Sequence, residues 1–404
     1  MLDKRAVALN DKIPLSENLD DVQPGYLGIT PPPSPPPERG TRVWVDRAGQ
    51  LLNAVSVLKQ ANVVAIDAEF AQVRSYTQSG ASVPSHRLAL LQLAIDGQCF
   101  VVDALRLSDL APLATVVANP EIVVLLHGAG ADMQVMAERG LNVAHYYDLE
   151  ATSRSIFGQH ESSLAAMLRR AFNIRLDKSL QRTDWSRRPL PPAMIAYAAR
   201  DAEMTLALYY WLSSHYSWAL KLHETTNQQE PVAAWIEPFL YGTPAISAEM
   251  AVAEAKVQGI LLDEAQVAAD CRAALATLKH PMRRSRLLRL IADLSPVQLA
   301  PDIEPLLHAQ TSDDRAASVR TLGRLRVEHG EALIRPLLQD PVYDVRKAAQ
   351  AALRNLGSKQ PREQWAMPSR LADGTRSWTV GETNATSNPD DESDWKARLR
   401  AIIE

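Results

Sequence analysis

The sequence predicts a mixed α/β domain followed by an all-helical repeat region. Strand-length apolar runs alternate with amphipathic helical patterns up to about residue 216. One run, residues 63–68, has the continuous apolar character of a strand buried on both faces, and acidic side chains follow it closely. Beyond Tyr216 no further strand pattern appears, and between Ser247 and Gly357 similar helical segments return after 31 residues.

The composition bounds the class of protein. The 404 residues suffice for two or three domains, and 46% hydrophobic with 22% charged residues is typical of globular proteins. A net charge of −4 excludes a protein that coats nucleic acid through a surface that is basic throughout, but it allows a local basic cleft. The two cysteines, Cys99 and Cys271, indicate a reducing compartment. Without a membrane-length apolar run or a signal peptide, we expect no membrane partner and a cytoplasmic location.

Residues 1–41 are predicted to be a disordered, Pro-rich leader. The segment Pro31–Pro37 reads Pro-Pro-Pro-Ser-Pro-Pro-Pro, which cannot join the interior of a helix or a sheet. A stiff linker or leader is favoured over the alternative, a ligand for a proline-reading domain.

Residues 42–220 form the predicted α/β domain. Strands are expected at 42–45, 63–68, 88–95, 100–102 and 122–126, and helices at 48–60, 110–118, 149–157, 162–172 and 191–216. A further helix follows the Gly-rich turn after residue 127 and ends at Arg139. The polar segment Ser75–His86 is predicted as a loop, and Asp96-Gly97 is a strong hairpin signal. The domain therefore opens with a meander and finishes in helices.

Residues 232–357 are predicted to be stacked helical repeats. Ile303–Leu307 recurs as Ile334–Leu338, and the same offset aligns Arg284, Arg315 and Arg346. The segment from 340 to 357 resembles the second helix of a HEAT repeat. We expect each aligned arginine to pair with an acid of a neighbouring repeat, and the repeats to contact substrate or a protein partner. Residues 358–404 are predicted to be a flexible tail.

Asp67 and Glu69 are the first candidates for chemistry. At a spacing of two on a strand their side chains point to the same side of the sheet, roughly 6–7 Å apart along the chain. Two adjacent acids at the end of a buried strand repel each other, and a divalent cation is the usual group that relieves them. The pattern alone is weak, because Asp-x-Glu also starts at Asp148, Asp201, Asp302 and Asp390.

Two further features supply carboxylates. Asp132 follows a buried strand by a Gly-rich turn, which places it in the first turn of a helix, where capping alone is the other explanation. Tyr197 and Asp201 are four residues apart, so they share one face of a largely apolar helix. A partly exposed Asp201 paired with an arginine is the alternative reading. Three carboxylate sources at strand and helix ends suit two divalent cations roughly 4 Å apart. Such a pair of cations can activate a water molecule and stabilise the leaving oxygen when a phosphodiester is hydrolysed.

These segments resemble ribonuclease D, in the tyrosine subclass of the DEDD superfamily of 3′-5′ exonucleases. The matching stretches are Ile66–Phe70, Arg87–Ala94, His127–Asp132 and Leu176–Leu190, the last leading into Tyr197–Ala202. The resemblance covers about residues 42–216 in the family's order and spacing.

The resemblance implies a ribonuclease H-like fold and a two-metal mechanism that releases nucleoside 5′-monophosphates. It implies that Asp67, Glu69, Asp132 and Asp201 bind two Mg²⁺ or Mn²⁺ ions and that Tyr197 orients the attacking water. Single-stranded 3′ ends are the implied substrate, with RNA favoured over DNA. The chain departs from ribonuclease D because HEAT-like repeats stand in place of its helical nucleic-acid-binding domains.

Five further residues are candidate nucleic-acid contacts, namely His127, Lys178, Arg182, Trp185 and Arg188. For Trp185 a place in the core is at least as well supported. The basic run from Arg283 to Arg289 favours a solvated face over a nucleic-acid track. Two alternatives stay open for the whole chain: a DNA 3′-5′ exonuclease of the same superfamily, and a helical-repeat scaffold carrying an inert nuclease fold.

Overall fold

A computed structural model describes most of the chain. The described residues are 31–38, 40–76, 82–176, 180, 183–226, 230–242, 245–261, 263–357, 369–370 and 376–377. Those up to Gly357 belong to one compact unit. The second unit contributes two short strands that pair antiparallel, Ser369–Arg370 and Arg376–Ser377, within the predicted flexible tail. In the described part of the chain, no helix is both long and apolar enough to cross a membrane.

A seven-stranded mixed sheet forms the centre of the first half. Its strands are β1 Thr41–Val45, β2 Val63–Tyr76, β3 Ser82–Ile95, β4 Gln98–Asp103, β5 Val123–Leu126, β6 His145–Asp148 and β7 Glu224–Thr226. They lie in the order β1-β4-β3-β2-β5-β6-β7. The pairs β2/β3, β3/β4 and β6/β7 are antiparallel, and the pairs β1/β4, β2/β5 and β5/β6 are parallel. The predicted meander is therefore confirmed as β2-β3-β4.

Fifteen helices occur in the described residues. Those of the first half are α1 Ala48–Leu58, α2 Ala114–Val117, α3 Gly130–Ala137, α4 Leu149–Phe157, α5 Leu164–Phe172, α6 Pro192–His215 and α7 Ser217–Leu222. Those of the second half are α8 Glu237–Tyr241, α9 Ala248–Val257, α10 Glu264–Thr277, α11 Pro281–Leu294, α12 Ala300–Ile303, α13 Ser312–Leu325, α14 Gly330–Ile334 and α15 Tyr343–Asn355. The predicted fold class, a mixed α/β part followed by an all-helical part, is confirmed.

The sheet is buried on both faces because its central strand is apolar at successive positions. Val64 and Ile66 of β2 point to one side, where they join a core that includes Leu51 of α1. Ala65 points to the other side and joins a core that includes Ala198 of α6. The period of two along β2 thus sends alternate residues into two different cores. The α6 side is the one that receives the carboxylates described below.

Three sequence expectations differ from the structure. The predicted loop at Ser75–His86 is wrong for most of its length, because β2 continues to Tyr76 and β3 begins at Ser82 as a long antiparallel hairpin. Strand β6 was not predicted. Strand β7 was not predicted either, because no strand was expected beyond residue 216. Both are short, and the pairing that stabilises them joins residues about 80 positions apart, such as His145 and Thr226.

Part of the predicted disordered leader lies against the domain. The backbone N–H of Ser34 donates to the carbonyl of Ala171 at 2.7 Å. At the other end of the segment, the N–H of Thr41 donates to the carbonyl of Gly97 at 2.8 Å. Residues 31–38 therefore form an ordered strap, whereas residues 1–30 lie outside the described part of the chain.

The helical half shows the predicted repeat in three dimensions. Helices α11, α13 and α15 begin at 281, 312 and 343, and so repeat every 31 residues. Arg315 binds both carboxylate oxygens of Asp340 at 2.7 and 3.1 Å, and Arg284 likewise binds Asp314. The expected pairing of the arginine ladder between neighbouring repeats is thus confirmed for Arg284 and Arg315. Arg346 instead donates to backbone carbonyls.

Three of the four arginines in the basic run of α11 are paired within the helical half, whereas Arg289 is exposed. Arg283 forms an ion pair with Glu230 at 2.8 Å, and Arg286 donates to the carbonyl of Leu240 at 2.6 Å. With Arg284 paired as above, three of its arginines hold the helical half together. These contacts correct the expectation of a solvated face.

The helical half packs directly on α4 of the first half. Ser155 donates to Asp313 at 2.5 Å, and Ser312 donates to the carbonyl of Arg154 at 2.8 Å. Gly158 ends α4 with φ +88, and a Cβ there would lie 2.7 Å from Val342. The sequence at the end of α4 is therefore constrained by the repeats as well as by the sheet.

Candidate metal centre

Strand β2 supplies Asp67 and Glu69 from the face that is covered by α6. Asp67 lies opposite Gln92 of β3 in the antiparallel register, and the register shifts between Glu69 and Phe70. Such an irregularity re-aims the side chains around it and is common next to active sites. The pair therefore sits where the sheet ends and the two-stranded hairpin begins.

Helix α3 supplies Asp132 through a tightly held turn. Gly128 has φ +80, and a Cβ there would lie 2.7 Å from Glu150, so the turn requires glycine. Asp148 accepts the backbone N–H groups of Gly128 and Ala129 at 3.0 and 3.2 Å. The same carboxylate caps α4 by accepting two of its first N–H groups. Asp148 thus fixes the direction in which α3 and its Asp132 leave the sheet.

Helix α6 supplies Tyr197 and Asp201 one turn apart. The Tyr197 hydroxyl is hydrogen-bonded to the Asp201 carboxylate, and the Tyr197 ring lies 6.2 Å from that of Trp185. Burial, together with the charges of Asp201 and Glu69, raises the pKa of Tyr197. The hydroxyl therefore stays protonated at neutral pH and remains a hydrogen-bond donor.

The three elements bring the predicted carboxylates together. Asp67, Glu69 and Asp201 each offer an oxygen atom, and these atoms lie within 4.8 Å of one another. Asp132 is outside that group of three, but its charge acts on both Asp67 and Glu69. Tyr197 stands at the edge of the cluster through its bond to Asp201. Four of the five residues predicted to carry the chemistry therefore lie together at one end of β2, and Asp132 lies near enough for its charge to act on Asp67 and Glu69.

The cluster is electrostatically unfavourable by itself. Burial raises the pKa of Asp67 well above its usual value, and Asp201, Asp132 and Glu69 add to the effect. Burial, then Asp201 and Asp132, raises the pKa of Glu69 to about 8. Burial, then Asp148, raises the pKa of Asp132 to about 7. Carboxylates crowded in this way bind protons or cations more readily than isolated ones.

These residues fit a divalent cation. The donor set consists of carboxylate oxygens, which hard cations such as Mg²⁺ and Mn²⁺ prefer. In the described residues, none of the charged side chains that shift the pKa of Asp67, Glu69 or Asp132 is positive. A bound cation would neutralise the repulsion among Asp67, Glu69 and Asp132.

The structure corrects two of the predicted nucleic-acid contacts. Trp185 is only 3% exposed and packs in the core beneath α6, so its ring faces are not free to stack on a base. Arg188 binds both oxygens of the buried Asp103 at 2.6 and 2.7 Å and also donates to the carbonyl of Ala89. Its guanidinium group therefore clamps the segment before α6 onto β4.

The other predicted contacts have different outcomes. His127 is partly buried and directly precedes the turn that leads to Asp132. Lys178 and Arg182 lie outside the described residues, so their roles stay predictions.

Sequence reasoning missed Asp148, Glu150 and Asp103. Asp148 and Glu150 form one of the Asp-x-Glu pairs to which no role was assigned. In the structure Asp148 accepts two N–H groups of the turn beside Asp132, and Glu150 lies against Gly128 of the same turn. Burial and the charge of Asp148 also raise the pKa of Glu150. The available signal was the position of the pair at the boundary between a strand and a helix. For Asp103 we find no comparable signal in the sequence.

Comparisons with known proteins agree with this geometry. Residues 42–216 match the family model described as 3′-5′ exonuclease. The chain is 28% identical over 172 residues to ribonuclease D of Haemophilus influenzae, covering 42% of this chain and 41% of that protein. It is 32% identical over 169 residues to the exosome complex exonuclease RRP6 of Saccharomyces cerevisiae, covering 41% of this chain and 22% of that protein. The chain thus spans less than half the length of these relatives.

A solved structure is also similar to part of this chain. A complex of Trypanosoma brucei RNase D with RNA U12 aligns to 43% of this chain and 62% of that chain, with a TM-score of 0.36 and 23% identity. From the family model and the two relatives, residues 42–216 are similar to the 3′-5′ exonuclease domains of ribonuclease D and RRP6. The predicted class of enzyme is confirmed for this segment.

Proposed function

We propose that the protein is a metal-dependent 3′-5′ exonuclease of the DEDD tyrosine subclass, acting on the 3′ ends of single-stranded RNA. The observation that carries the proposal is the convergence of Asp67, Glu69 and Asp201 within 4.8 Å, with Tyr197 hydrogen-bonded to Asp201. Similarity to ribonuclease D and to RRP6 supports RNA over DNA.

Asp67, Glu69, Asp132 and Asp201 would hold two divalent cations, Mg²⁺ or Mn²⁺. When bound, such ions neutralise the phosphodiester and increase the acidity of the attacking water. Asp201 accepts a hydrogen bond from Tyr197, which fixes the direction of the phenol oxygen. The Tyr197 hydroxyl then orients the attacking water in line with the scissile bond, because an oriented nucleophile needs less reorganisation to reach the transition state. The buried floor of the cluster limits access of other water molecules.

The test is degradation of RNA and DNA oligonucleotides of the same sequence, labelled at the 5′ end and incubated with Mg²⁺ or Mn²⁺. We expect stepwise shortening from the 3′ end, faster for RNA, and abolished by Asp67→Ala or Asp201→Asn. Equal shortening by Asp201→Asn would reject the proposed centre. Faster shortening of DNA would reject the RNA preference and leave the reaction class standing.

The domain organisation is part of the same proposal. We assign residues 42–220 to the exonuclease domain, residues 232–357 to HEAT-like repeats, and residues 358–404 to a flexible tail. The 31-residue period and the inter-repeat ion pairs of α11, α13 and α15 support the HEAT-like assignment. We further propose a cytoplasmic location and contact of the repeats with a protein or nucleic-acid partner. No shift of thermal stability at millimolar Mg²⁺ or Mn²⁺ would favour the alternative of a scaffold with an inert nuclease fold.

A further inference from the structure

The Pro-rich strap, residues 31–38, is held against the domain at Ser34, and the chain makes a second close contact just beyond the strap, at Gly40. Ser34 is bonded to the carbonyl of Ala171 at the end of α5, as described above. Gly40 packs so closely on Gly97 that a Cβ at residue 40 would lie 2.6 Å from the Gly97 backbone. Between these anchors the strap runs alongside the helix that carries Tyr197, because Pro36 and Pro37 line cavities on α6. A segment held at two points has a defined path between them.

The strap shows a period of three in its burial. Residues 31, 34, 37 and 40 are partly buried, whereas 32, 33, 35, 36 and 38 are exposed. A polyproline II helix has three residues per turn, so one of its edges faces the domain at every third residue. The prolines thus form a stiff rod with little conformational entropy to lose when it contacts a ligand.

The rod closes one side of a cavity of about 400 Å³ beside the candidate metal centre. Pro36 and Pro37 form this side, and Arg42, held by Glu203 at 2.8 and 2.7 Å, lies below them. The remaining walls come from the segment before α6 and from one face of α6, and they include Leu176, Leu180, Ala196, Tyr197 and Arg200. Tyr197 belongs to this cavity and also to the carboxylate cluster.

We propose that this cavity binds an unpaired nucleobase near the 3′ end of the substrate, and that the Pro-rich strap supplies the outer wall of the subsite. The inference rests on the proposed exonuclease function, because the nucleobase reaches the cavity only when the strand's 3′ end is at the carboxylate cluster. It assigns a role in substrate binding to a segment that composition alone assigns to a leader.

The chemistry of the walls matches a nucleobase. Most of the lining side chains are aliphatic, and flat proline rings offer C–H groups to an aromatic face. The volume falls within the range of about 300–1,000 Å³ that small-molecule sites occupy. Arg200 adds a positive charge where a phosphate follows each base, and Arg42 is already neutralised by Glu203. Base stacking on such surfaces tolerates any sequence, as an exonuclease requires.

A pair of deletions and a pair of point substitutions test the proposal. A chain lacking residues 1–38 has no strap, whereas its control, lacking residues 1–30, keeps it. In the full chain, Ala196→Phe fills the cavity. Its control, Ala114→Phe, places the same bulk at an alanine of α2 that packs against the core on the other face of the sheet, away from the strap and from Tyr197. Both alanines are partly buried, which matches the two substitutions in folding risk.

The readout is the dissociation constant for a fluorescent single-stranded RNA 12-mer, measured by anisotropy in EDTA so that no hydrolysis occurs. Loss of one stacked base weakens binding about five- to a hundredfold. We expect this loss for the chain without residues 1–38 and for Ala196→Phe, and less than a twofold change for both controls. Thermal unfolding identifies a variant that fails to fold, in which case the other member of the set decides.

Equal binding by the two deletions, or tighter binding without the strap, would overturn the proposal. Tighter binding would identify the strap as a cover over the site. A failure of the exonuclease assignment has a different signature, because the full chain would then show no metal-dependent shortening of the same RNA. The two hypotheses can therefore fail separately.

Discussion

Replacing Tyr197 by phenylalanine tests the proposed mechanism most directly. The substitution removes one oxygen atom and keeps the ring that packs 6.2 Å from Trp185, so the fold should persist. The lost hydroxyl is bonded to the Asp201 carboxylate, and a hydrogen bond to a charged group contributes about 1.5–3 kcal/mol. If the transition state loses the whole free energy of that hydrogen bond, kcat falls about 10- to 150-fold, because each 1.36 kcal/mol corresponds to a factor of ten in rate. We expect KM for the oligonucleotide to change little.

Tyr210→Phe is a matched control on the same helix. Its hydroxyl also donates to a carboxylate, that of Asp96, with both oxygens at 2.9 Å, and it lies away from the cluster. Both substitutions should lower Tm by a similar few degrees, but Tyr210→Phe should leave kcat unchanged. The assay is initial-rate release of nucleoside monophosphate at saturating RNA and metal. A kcat for Tyr197→Phe within threefold of the unmodified protein would refute the role of its hydroxyl.

Three further predictions concern stability and metal binding. Asp340→Asn removes the charge that pairs with the buried Arg315 and should lower the free energy of unfolding in urea by about 3–5 kcal/mol. Asp293→Asn breaks an exposed pair and should lower it by under about 1 kcal/mol. Equal losses would contradict the buried-pair argument. Burial holds the pKa of His223 well below 6.5, so the unfolded chain binds a proton that the folded chain does not, and the unfolding free energy should decrease as pH falls below 6.5. His223→Gln should flatten that dependence, and an unchanged slope would show that other groups cause it. Millimolar Mg²⁺ or Mn²⁺ should raise Tm, and Asp201→Asn should reduce the shift; an equal shift in the variant would place metal binding elsewhere.

Local periodicity paired the candidate residues, and the resemblance to ribonuclease D joined them into one predicted metal centre. The spacing of two between Asp67 and Glu69 places both on one side of β2, and the spacing of four between Tyr197 and Asp201 places both on one face of α6. These relations depend only on the geometry of a strand and a helix. The 31-residue period of the repeats was equally visible, because each repeat carries the same local pattern.

Contacts between distant parts of the chain were beyond sequence reasoning. The sequence predicted that Trp185 and Arg188 contact nucleic acid. In the structure Trp185 lies in the core beside Tyr197, and Arg188 binds the buried Asp103. From the sequence no role was assigned to the Asp148–Glu150 pair, yet the turn at Gly128 lies against both side chains. The deciding partner lies 12 residues away for Trp185, 85 for Arg188 and 20 for Asp148, and no local spacing reveals it.

The sequence by itself determined which residues are candidates to bind metal and which elements carry them, since those expectations follow from side-chain chemistry, from the periods of strands and helices and from the resemblance to a known family. The tertiary structure alone decided which of the remaining charged and aromatic residues are available for function. It also turned part of the leader into an ordered strap beside Tyr197, through anchors at Ala171 and Gly97. The physical reason is that burial and pairing depend on which elements pack together, and that arrangement is a property of the whole chain.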